Sequence, residues 1–331
     1  MNIEANKYRY PYVDFASGIM ILWMILFHAI AHVWAVYPCI KFPFLHFFMP
    51  WFFYKSGMFF KECSVGELWL KDISKLIKPF IIWSIVGALC FMFILLLNDN
   101  FGFRSFVTSI FHEVYFLGKI PINTPLWFLL TLFMVRFAAN IALKLTGGGK
   151  FAMLISTVLL GYIVSYLVYR YNHHLLPYWI ANGAAGMSFF VLGYFFRDLE
   201  KSWWVILPCA IVYVIYCIIG FPMVDMFPNK LVNGHYLLWI PVSFCCIISY
   251  NAFCRFIYKH VRINFVEWIG KNAITILVIH VLLVKMTIEL LRYNHIHFSS
   301  YWVLCLILLE YALILPLCCW IKQKYNYKLA K

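Results

Sequence analysis

Apolar residues run along the chain in blocks that are each long enough, or nearly long enough, to cross a lipid bilayer. Ten such blocks are present, at about residues 12 to 36, 42 to 60, 77 to 97, 125 to 143, 151 to 169, 183 to 196, 203 to 220, 236 to 254, 272 to 291 and 301 to 321. Because a transmembrane helix needs about 20 apolar residues, the pattern predicts about ten transmembrane helices. We expect an all-α, polytopic membrane helix bundle, with residues 1–331 forming a single integral membrane domain.

Composition agrees with a membrane protein and excludes a soluble globular one. Hydrophobic residues make up 64% of the chain and charged residues 12%, and the mean hydropathy is +0.83. Soluble domains carry about twice that share of charge. The formal net charge of +14 at pH 7 does not indicate a nucleic-acid partner, because the basic residues are spread over the loops rather than gathered on one soluble face.

The distribution of basic residues predicts the orientation of the bundle. With a cytoplasmic N-terminus, eighteen lysines and arginines fall on the inner side, and six fall outside: Lys41, Arg104, Lys119, Arg170, Lys230 and Arg292. Cytoplasmic loops are enriched in Lys and Arg, so we expect both termini in the cytoplasm and an even number of spans. The first apolar run is too long for a cleavable signal peptide and lacks a small-residue cleavage site. The prediction is a multi-pass protein of the cell membrane, inner or plasma.

The first block contains a polar seam. Asp14, Ser17 and His28 are separated by three and eleven residues, which at about 100° per residue places all three on one stripe of a helix. Ionisable groups in membrane helices face a protein interior or a wet cavity and are functional candidates. His28 is either a proton acceptor or a hydrogen-bonded packing residue between helices.

Two further features of the pattern concern the outer surface and metal binding. Residues 101–116 are rich in aromatics with Arg104, His112 and Glu113 interspersed, which predicts an amphipathic or re-entrant helix serving as a lid or an interface anchor. The eleven cysteines are scattered without the spacing of metal ligands, and His32, one turn after His28, lacks carboxylate or thiolate company. No metal site is predicted.

Several short motifs follow one another in a recognisable order. They are Asp14-Phe15-Ala16 and Phe27-His28-Ala29 in the first block, residues 48–60 in the second, the basic stretch 71–80, Pro125-Leu126-Trp127-Phe128-Leu129, and Gly270-Lys271-Asn272-Ala273 leading to His280. Taken together across ten blocks, they resemble the acyltransferase-3 family of integral membrane acyltransferases. The resemblance covers nearly the whole chain.

The resemblance implies an activity and its partners. Members of that family transfer an acyl group, often acetyl, from a cytoplasmic acyl-coenzyme A to a sugar hydroxyl of a cell-envelope or secreted glycan. It therefore implies acetyl-CoA as the donor, a polysaccharide or lipid-linked sugar as the acceptor, membrane lipid as the surroundings, and no nucleic acid.

The resemblance also implies roles for particular residues. His28 corresponds to the first-helix histidine that the family holds essential, and it would act as a general base, with Asp14 orienting it or balancing charge along the seam. Lys71, Lys75 and Lys78 lie where the family has a basic motif for the coenzyme A phosphates, although the positive-inside rule alone also places lysines there. His280 and Trp127 are candidates for contact with substrate, or else core residues.

One position departs from the family. Members usually carry Lys or Arg eleven residues before the histidine, where this chain has Ser17. Lys55 of the second block is expected at about the same depth in the membrane, and we hypothesise that it supplies the missing cation. Arg136 is expected to assist it in stabilising negative charge and to bind coenzyme A. The alternative is that Lys55 extends to the inner interface.

The remaining charged residues inside apolar blocks need partners. Arg136 and Glu310 are both predicted near the middle of the membrane and could pair with each other. Lys285 and Glu289 are four residues apart on one predicted helix and could satisfy one another.

Two other functions remain open on sequence grounds. A transporter or flippase would use the same seam as a translocation path, although the chain lacks the paired broken helices of such proteins. A family member that has lost activity is kept open by Ser17.

Overall fold

The structure is a computed structural model, and it describes residues 10–30, 44–147, 149–171, 176–220, 224–226, 230–231, 235–295 and 300–329. Most of these residues are helical. The first half contains α1 (Pro11–Ile30), α2 (Phe48–Met58), α3 (Val65–Asp72), α4 (Lys78–Leu97), α5 (Phe103–His112) and α6 (Trp127–Leu145). The second half contains α7 (Lys150–Tyr171), α8 (Tyr178–Phe196), α9 (Trp203–Ile219), α10 (Tyr236–His260), α11 (Asn264–Lys271), α12 (Ala273–Tyr293) and α13 (Ser300–Leu329).

Short irregular elements connect these helices. A π-helical turn, Ile73–Ile77, joins α3 to α4, and a second one, Glu113–Leu117, extends α5. Single 3₁₀ turns lie at Thr124–Leu126 and Leu199–Lys201. Two strands of two residues each, β1 (Val224–Asp225) and β2 (Lys230–Leu231), pair antiparallel.

The predicted all-α membrane bundle is confirmed. Among the described residues, seven helices are long and apolar enough to cross a membrane: α1, the continuous α3–α4 helix, α6, α7, α8, α10 and α12. Two shorter apolar helices are α9 and the part of α13 from Cys305 to Trp320. The total of about ten spans and the cytoplasmic side of the termini stay predictions.

The second apolar block is shorter as a helix than its sequence indicates. Helix α2 has 11 residues and so spans only about 16 Å, which is less than a bilayer core. It lies in the interior instead, and Trp51, Phe53 and Tyr54 are among the largest fully buried side chains of the bundle.

Helix α8 packs tightly against α2 through glycines. A Cβ atom at Gly57 would overlap the carbonyl oxygen of Phe190, and a Cβ atom at Gly193 would overlap the carbonyl oxygen of Tyr54. Small residues let membrane helices approach this closely. The two glycines therefore fix the position of α2, which carries Lys55.

A glycine contact of the same kind joins α1 to α11. A Cβ atom at Gly18 would overlap the carbonyl oxygen of Val266, and a Cβ atom at Gly270 would overlap that of Asp14. Gly270 belongs to one of the motifs noted in the sequence. Its physical role here is to let α11 lie directly against the part of α1 that carries Asp14 and Ser17.

Substitution of Gly193 by alanine is expected to destabilise the bundle by about 1–3 kcal/mol, because the added methyl group meets a backbone carbonyl that cannot rotate away. Gly66→Ala is the matched control, since no atom lies within 4 Å of a Cβ atom at that position. Thermal unfolding in detergent, followed by the fluorescence of the thirteen tryptophans, measures both. Equal melting temperatures for the two variants would contradict the packing described here.

The predicted amphipathic segment at 101–116 is helical. Helix α5 and the π-helical turn after it cover Phe103 to Leu117. No residue of α5 is buried, and Phe103 and Phe111 are 74% and 68% exposed. Exposed aromatics on an amphipathic helix fit an interfacial position. The role of this segment, as a lid or as an anchor, stays a prediction.

Candidate active site

A cavity of about 300 Å³ lies where α2, α3, α6 and the first turn of α12 meet. Its walls are Phe52, Lys55, Ser56, Phe59, Lys71, Asp72, Lys75, Leu76, Phe128, Leu132, Arg136, Ala273 and Ile274. Four of these side chains are cationic and one is anionic. The fold thus brings together Lys55, Lys71, Lys75 and Arg136, which the sequence places on three separate segments. We call this cavity the cation cavity.

The backbone between Lys71 and Lys78 explains which lysines enter the cation cavity. Helix α3 begins at a capping box formed by Ser64 and Glu67, which fixes the start of this segment. In the π-helical turn that follows, the N–H of Lys78 donates to the carbonyl of Ile73, so the chain winds more slowly than an α-helix. Because of this turn, Lys71, Lys75 and Lys78 do not follow one continuous α-helical face. Lys71 and Lys75 line the cavity, whereas Lys78 is not among its walls.

Arg136 is held by a buried carboxylate. Its Nε donates to Asp72 Oδ2 at 2.7 Å, and its Nη1 donates to Ser56 Oγ at 3.3 Å. The guanidinium carbon lies 5.2 Å from the centre of the Phe60 ring. Asp72 is only 2% exposed, and a buried charge of this kind requires a partner.

The predicted pairing of Arg136 with Glu310 is therefore wrong. Glu310 instead accepts a hydrogen bond from the hydroxyl of Thr287 on α12. The physical reason is helix α3, which carries Asp72 to α6 and was not foreseen as a packing partner of that helix.

The predicted pair of Lys285 and Glu289 is also wrong. Lys285 Nζ donates to the carbonyl oxygen of Pro121 at 3.4 Å. Glu289 accepts from Arg292 Nη1, at 2.9 Å and 3.1 Å to its two oxygens. Arg292 lies three residues further along the same helix, close enough for its Nη1 to reach both carboxylate oxygens, and Lys285 turns to the loop that precedes α6.

Lys55 meets the polar seam of α1. Its Nζ donates a hydrogen bond to Ser17 Oγ and lies 5.7 Å from the centre of the Trp51 ring. Ser17 is fully buried, and Asp14, one turn earlier on α1, is buried as well. The cation of α2 therefore occupies the space beside Ser17, the position at which the hypothesis on Lys55 requires it.

His28 lies against a second histidine. The centres of the His28 and His280 rings are 5.2 Å apart, with 53° between the ring planes. His280 on α12 is fully buried, whereas His28, near the end of α1, is partly exposed. The structure thus brings together two residues that are 252 positions apart in the sequence.

The histidine pair and the cation cavity are separate places joined by two helices. Ser17 and His28 are eleven residues apart on α1, which corresponds to about 16 Å of helix. Ile274 lines the cation cavity and His280 follows six residues later on α12, or about 9 Å. Helices α1 and α12 pack against each other. Lys55 therefore lies at the far end of the seam from His28, not beside its ring.

Trp127 and His32 are two further positions noted in the sequence, and the structure describes only the first of them. Trp127 is buried at the first turn of α6 and packs beside Phe128, with ring centres 6.1 Å apart. Phe128 lines the cation cavity, but Trp127 does not. His32 lies outside the described residues. Among the residues that the structure does describe, no group of three or more His, Cys, Asp or Glu side chains could hold a metal ion.

A comparison with known protein families matches these features to one family. Residues 10–321 match the model of an acyltransferase domain, that of the acyltransferase-3 family. The chain belongs to the acyltransferase-3 family. No curated protein and no solved structure matched the chain in the parallel searches. The match covers every helix of the cation cavity and both histidines, so this acyltransferase-3 protein is a multi-pass membrane protein whose candidate site falls wholly within the family domain.

Sequence reasoning missed two groups of site residues in this acyltransferase-3 chain. Asp72 organises the cavity through Arg136 and was overlooked, although it is the one acid within the basic stretch 71–80. Ser56 and the apolar walls carry no signal in the sequence that distinguishes them from other residues of an apolar block. Only the cavity between α2, α3, α6 and α12 in the folded bundle identifies them.

Proposed function

We propose that the protein is a membrane O-acyltransferase of the inner or plasma membrane that transfers acetyl from cytoplasmic acetyl-CoA to a hydroxyl of a cell-envelope or secreted glycan. Its family supports acyl transfer. The observation that carries the rest is the placement of a cavity with four cations at one end of α1 and α12, and of paired histidines at the other.

The cation cavity suits the polyanionic end of coenzyme A. Arg136 is paired with Asp72, and Lys55, Lys71 and Lys75 line the same cavity, where their ammonium groups would donate charge-assisted hydrogen bonds to phosphate oxygens. Lysine binds phosphate as a point charge and needs no single fixed geometry. The extended pantetheine arm would then run along the seam of α1 and α12 and carry the thioester toward His28.

The reaction at the histidine pair is an acyl transfer with His28 as general base. The neutral imidazole takes the proton of the acceptor hydroxyl while that oxygen attacks the thioester carbonyl. The carbon–sulfur bond breaks, the acetyl group stays on the acceptor oxygen as an ester, and the coenzyme A thiolate takes the proton back from the imidazolium. Holding donor and acceptor at one point supplies much of the acceleration.

Transfer of labelled acetyl from acetyl-CoA by the purified protein tests this proposal. The label avoids the background that the eleven cysteines would add to a thiol assay. We expect coenzyme A release that grows with time, and labelled ester in extracts that contain envelope glycan. Heat-unfolded protein is the control. Folded protein that neither cleaves acetyl-CoA nor labels any glycan would overturn the proposal, and movement of unmodified substrate into vesicles would favour a transporter instead.

A further inference from the structure

His280 has one nitrogen with two partners and one nitrogen with none. Its Nδ1 lies 2.9 Å from the carbonyl oxygen of Leu277 and 3.1 Å from that of Ile276. Because a carbonyl oxygen only accepts, Nδ1 must carry a proton. Nε2 is buried, and within the described parts of the chain nothing forms a hydrogen bond with it. In the neutral ring, which burial favours, Nε2 is therefore an acceptor that lacks a donor.

Hydrogen bonds hold both the backbone and the ring of His280. Its own backbone carbonyl accepts a hydrogen bond of 3.0 Å from the hydroxyl of Tyr311 on α13. Its side chain is tied to the preceding turn of α12 through Nδ1. Because Nδ1 ties the ring to the preceding turn of α12, a donor for the buried Nε2 has to come from a neighbouring side chain.

The His28 ring is the neighbour that can supply this donor. It lies 5.2 Å away between ring centres, and an N–H of this partly exposed ring is the kind of donor that Nε2 lacks. Hydrogen bonds in active sites are often long before substrate binds and tighten in the complex.

We propose that His280 is a positioning residue for His28: its Nε2 accepts the ring N–H of His28 and so leaves the other nitrogen of His28 as the base that faces the acceptor hydroxyl. This inference rests on the proposed function. A base that is oriented by a third group is the arrangement of nucleophilic triads. When His28 takes up the substrate proton, the shared hydrogen bond becomes charge-assisted and therefore stronger, so it is worth most at the moment of transfer.

Two substitutions at His280 separate positioning from packing. His280→Leu keeps an apolar side chain but removes the acceptor, whereas in His280→Gln the amide oxygen can take the place of Nε2. We expect His280→Leu to lower kcat about 10- to 100-fold, less than the loss of about 10⁴ when a charged orienting carboxylate is removed from a triad. The KM for acetyl-CoA should not change, and His280→Gln should restore most of kcat. Wild-type kcat in His280→Leu, or equal losses in both variants, would overturn the proposal.

A spectroscopic measurement covers the case in which His280→Leu fails to fold. Nitrogen-15 spectra of histidine-labelled wild-type protein with bound coenzyme A distinguish protonated from unprotonated ring nitrogens. We expect one tautomer of His28, coupled through its N–H to an unprotonated Nε2 of His280. A mixture of His28 tautomers, or a protonated Nε2 on His280, would overturn the inference. This readout does not depend on turnover, so it can fail while acyl transfer is observed, or hold while acyl transfer is absent.

Discussion

Replacement of His28 by alanine is expected to lower the rate of acyl transfer by about 10²- to 10⁴-fold, the usual contribution of a positioned general acid or base. On the proposed mechanism the acceptor hydroxyl then has no group to take its proton, whereas the proposed donor site in the cation cavity, about 16 Å away along α1, is left intact. The expected result is therefore a loss in kcat with little change in the KM for acetyl-CoA. Steady-state transfer of labelled acetyl gives both constants.

His46→Ala is the matched control for this experiment. The ring of Phe27 lies against both histidines, with centres 5.8 Å from His28 and 6.2 Å from His46. Each variant therefore removes an imidazole from the same aromatic neighbour, and only one of them removes the proposed base. A folded His28→Ala protein that transfers acetyl as fast as His46→Ala would rule out His28 as the base.

Replacement of Lys55 by leucine is expected to raise the KM for acetyl-CoA about 10- to 100-fold, because a charge-assisted hydrogen bond is worth about 1.5–3 kcal/mol and each 1.4 kcal/mol is a factor of ten. The value of kcat should change less, since Lys55 lies beside Ser17 rather than beside the His28 ring. Equilibrium binding of coenzyme A gives an independent measure of the same loss. Lys144→Leu, which removes an exposed lysine outside the cation cavity, is the control.

The double variant Ser17→Lys with Lys55→Leu tests whether position or identity matters. Because Lys55 Nζ contacts Ser17 Oγ, a lysine at position 17 returns a cation to α1 in the region of the seam that Lys55 Nζ occupies in the wild type. We expect the double variant to recover most of the affinity that Lys55→Leu loses. If the double variant binds no better than Lys55→Leu, or if Lys55→Leu binds as well as the wild type, Lys55 does not replace the basic residue that the family carries on α1.

The sequence predicted long elements better than short ones. Apolar blocks of about 20 residues were enough for the fold class, because such blocks in lipid satisfy their backbone hydrogen bonds as helices whatever the detailed packing. Helices α3 and α11 have only eight residues each and mix charged with apolar side chains. A capping box of Ser64 and Glu67 marks the start of α3 in the sequence, but the packing of α3 against α6 and of α11 against α1 has no local pattern.

At the candidate site, positions along a single helix could be predicted from the sequence, but contacts between helices could not. The shared depth of Lys55 and Ser17 could be predicted from helix rise, because both positions are counted from the ends of their own helices, whereas their contact depends on how α1 and α2 pack. Partners across the bundle could not be predicted, and the pairs assigned to Arg136 and Lys285 were wrong because several carboxylates and carbonyls compete for each cation. Contact between His28 and His280 depends on how α1 and α12 cross, which only the folded bundle determines.

The π-helical turn at Ile73–Ile77 makes this stretch sensitive to its length. A π turn amounts to one extra residue accommodated within an α-helix. Deleting a single residue there would rotate everything upstream by about 100° and turn Lys71 and Asp72 away from Arg136. Homologous chains that keep this cavity should therefore keep the number of residues in the turn, even where its side chains outside the cavity wall differ.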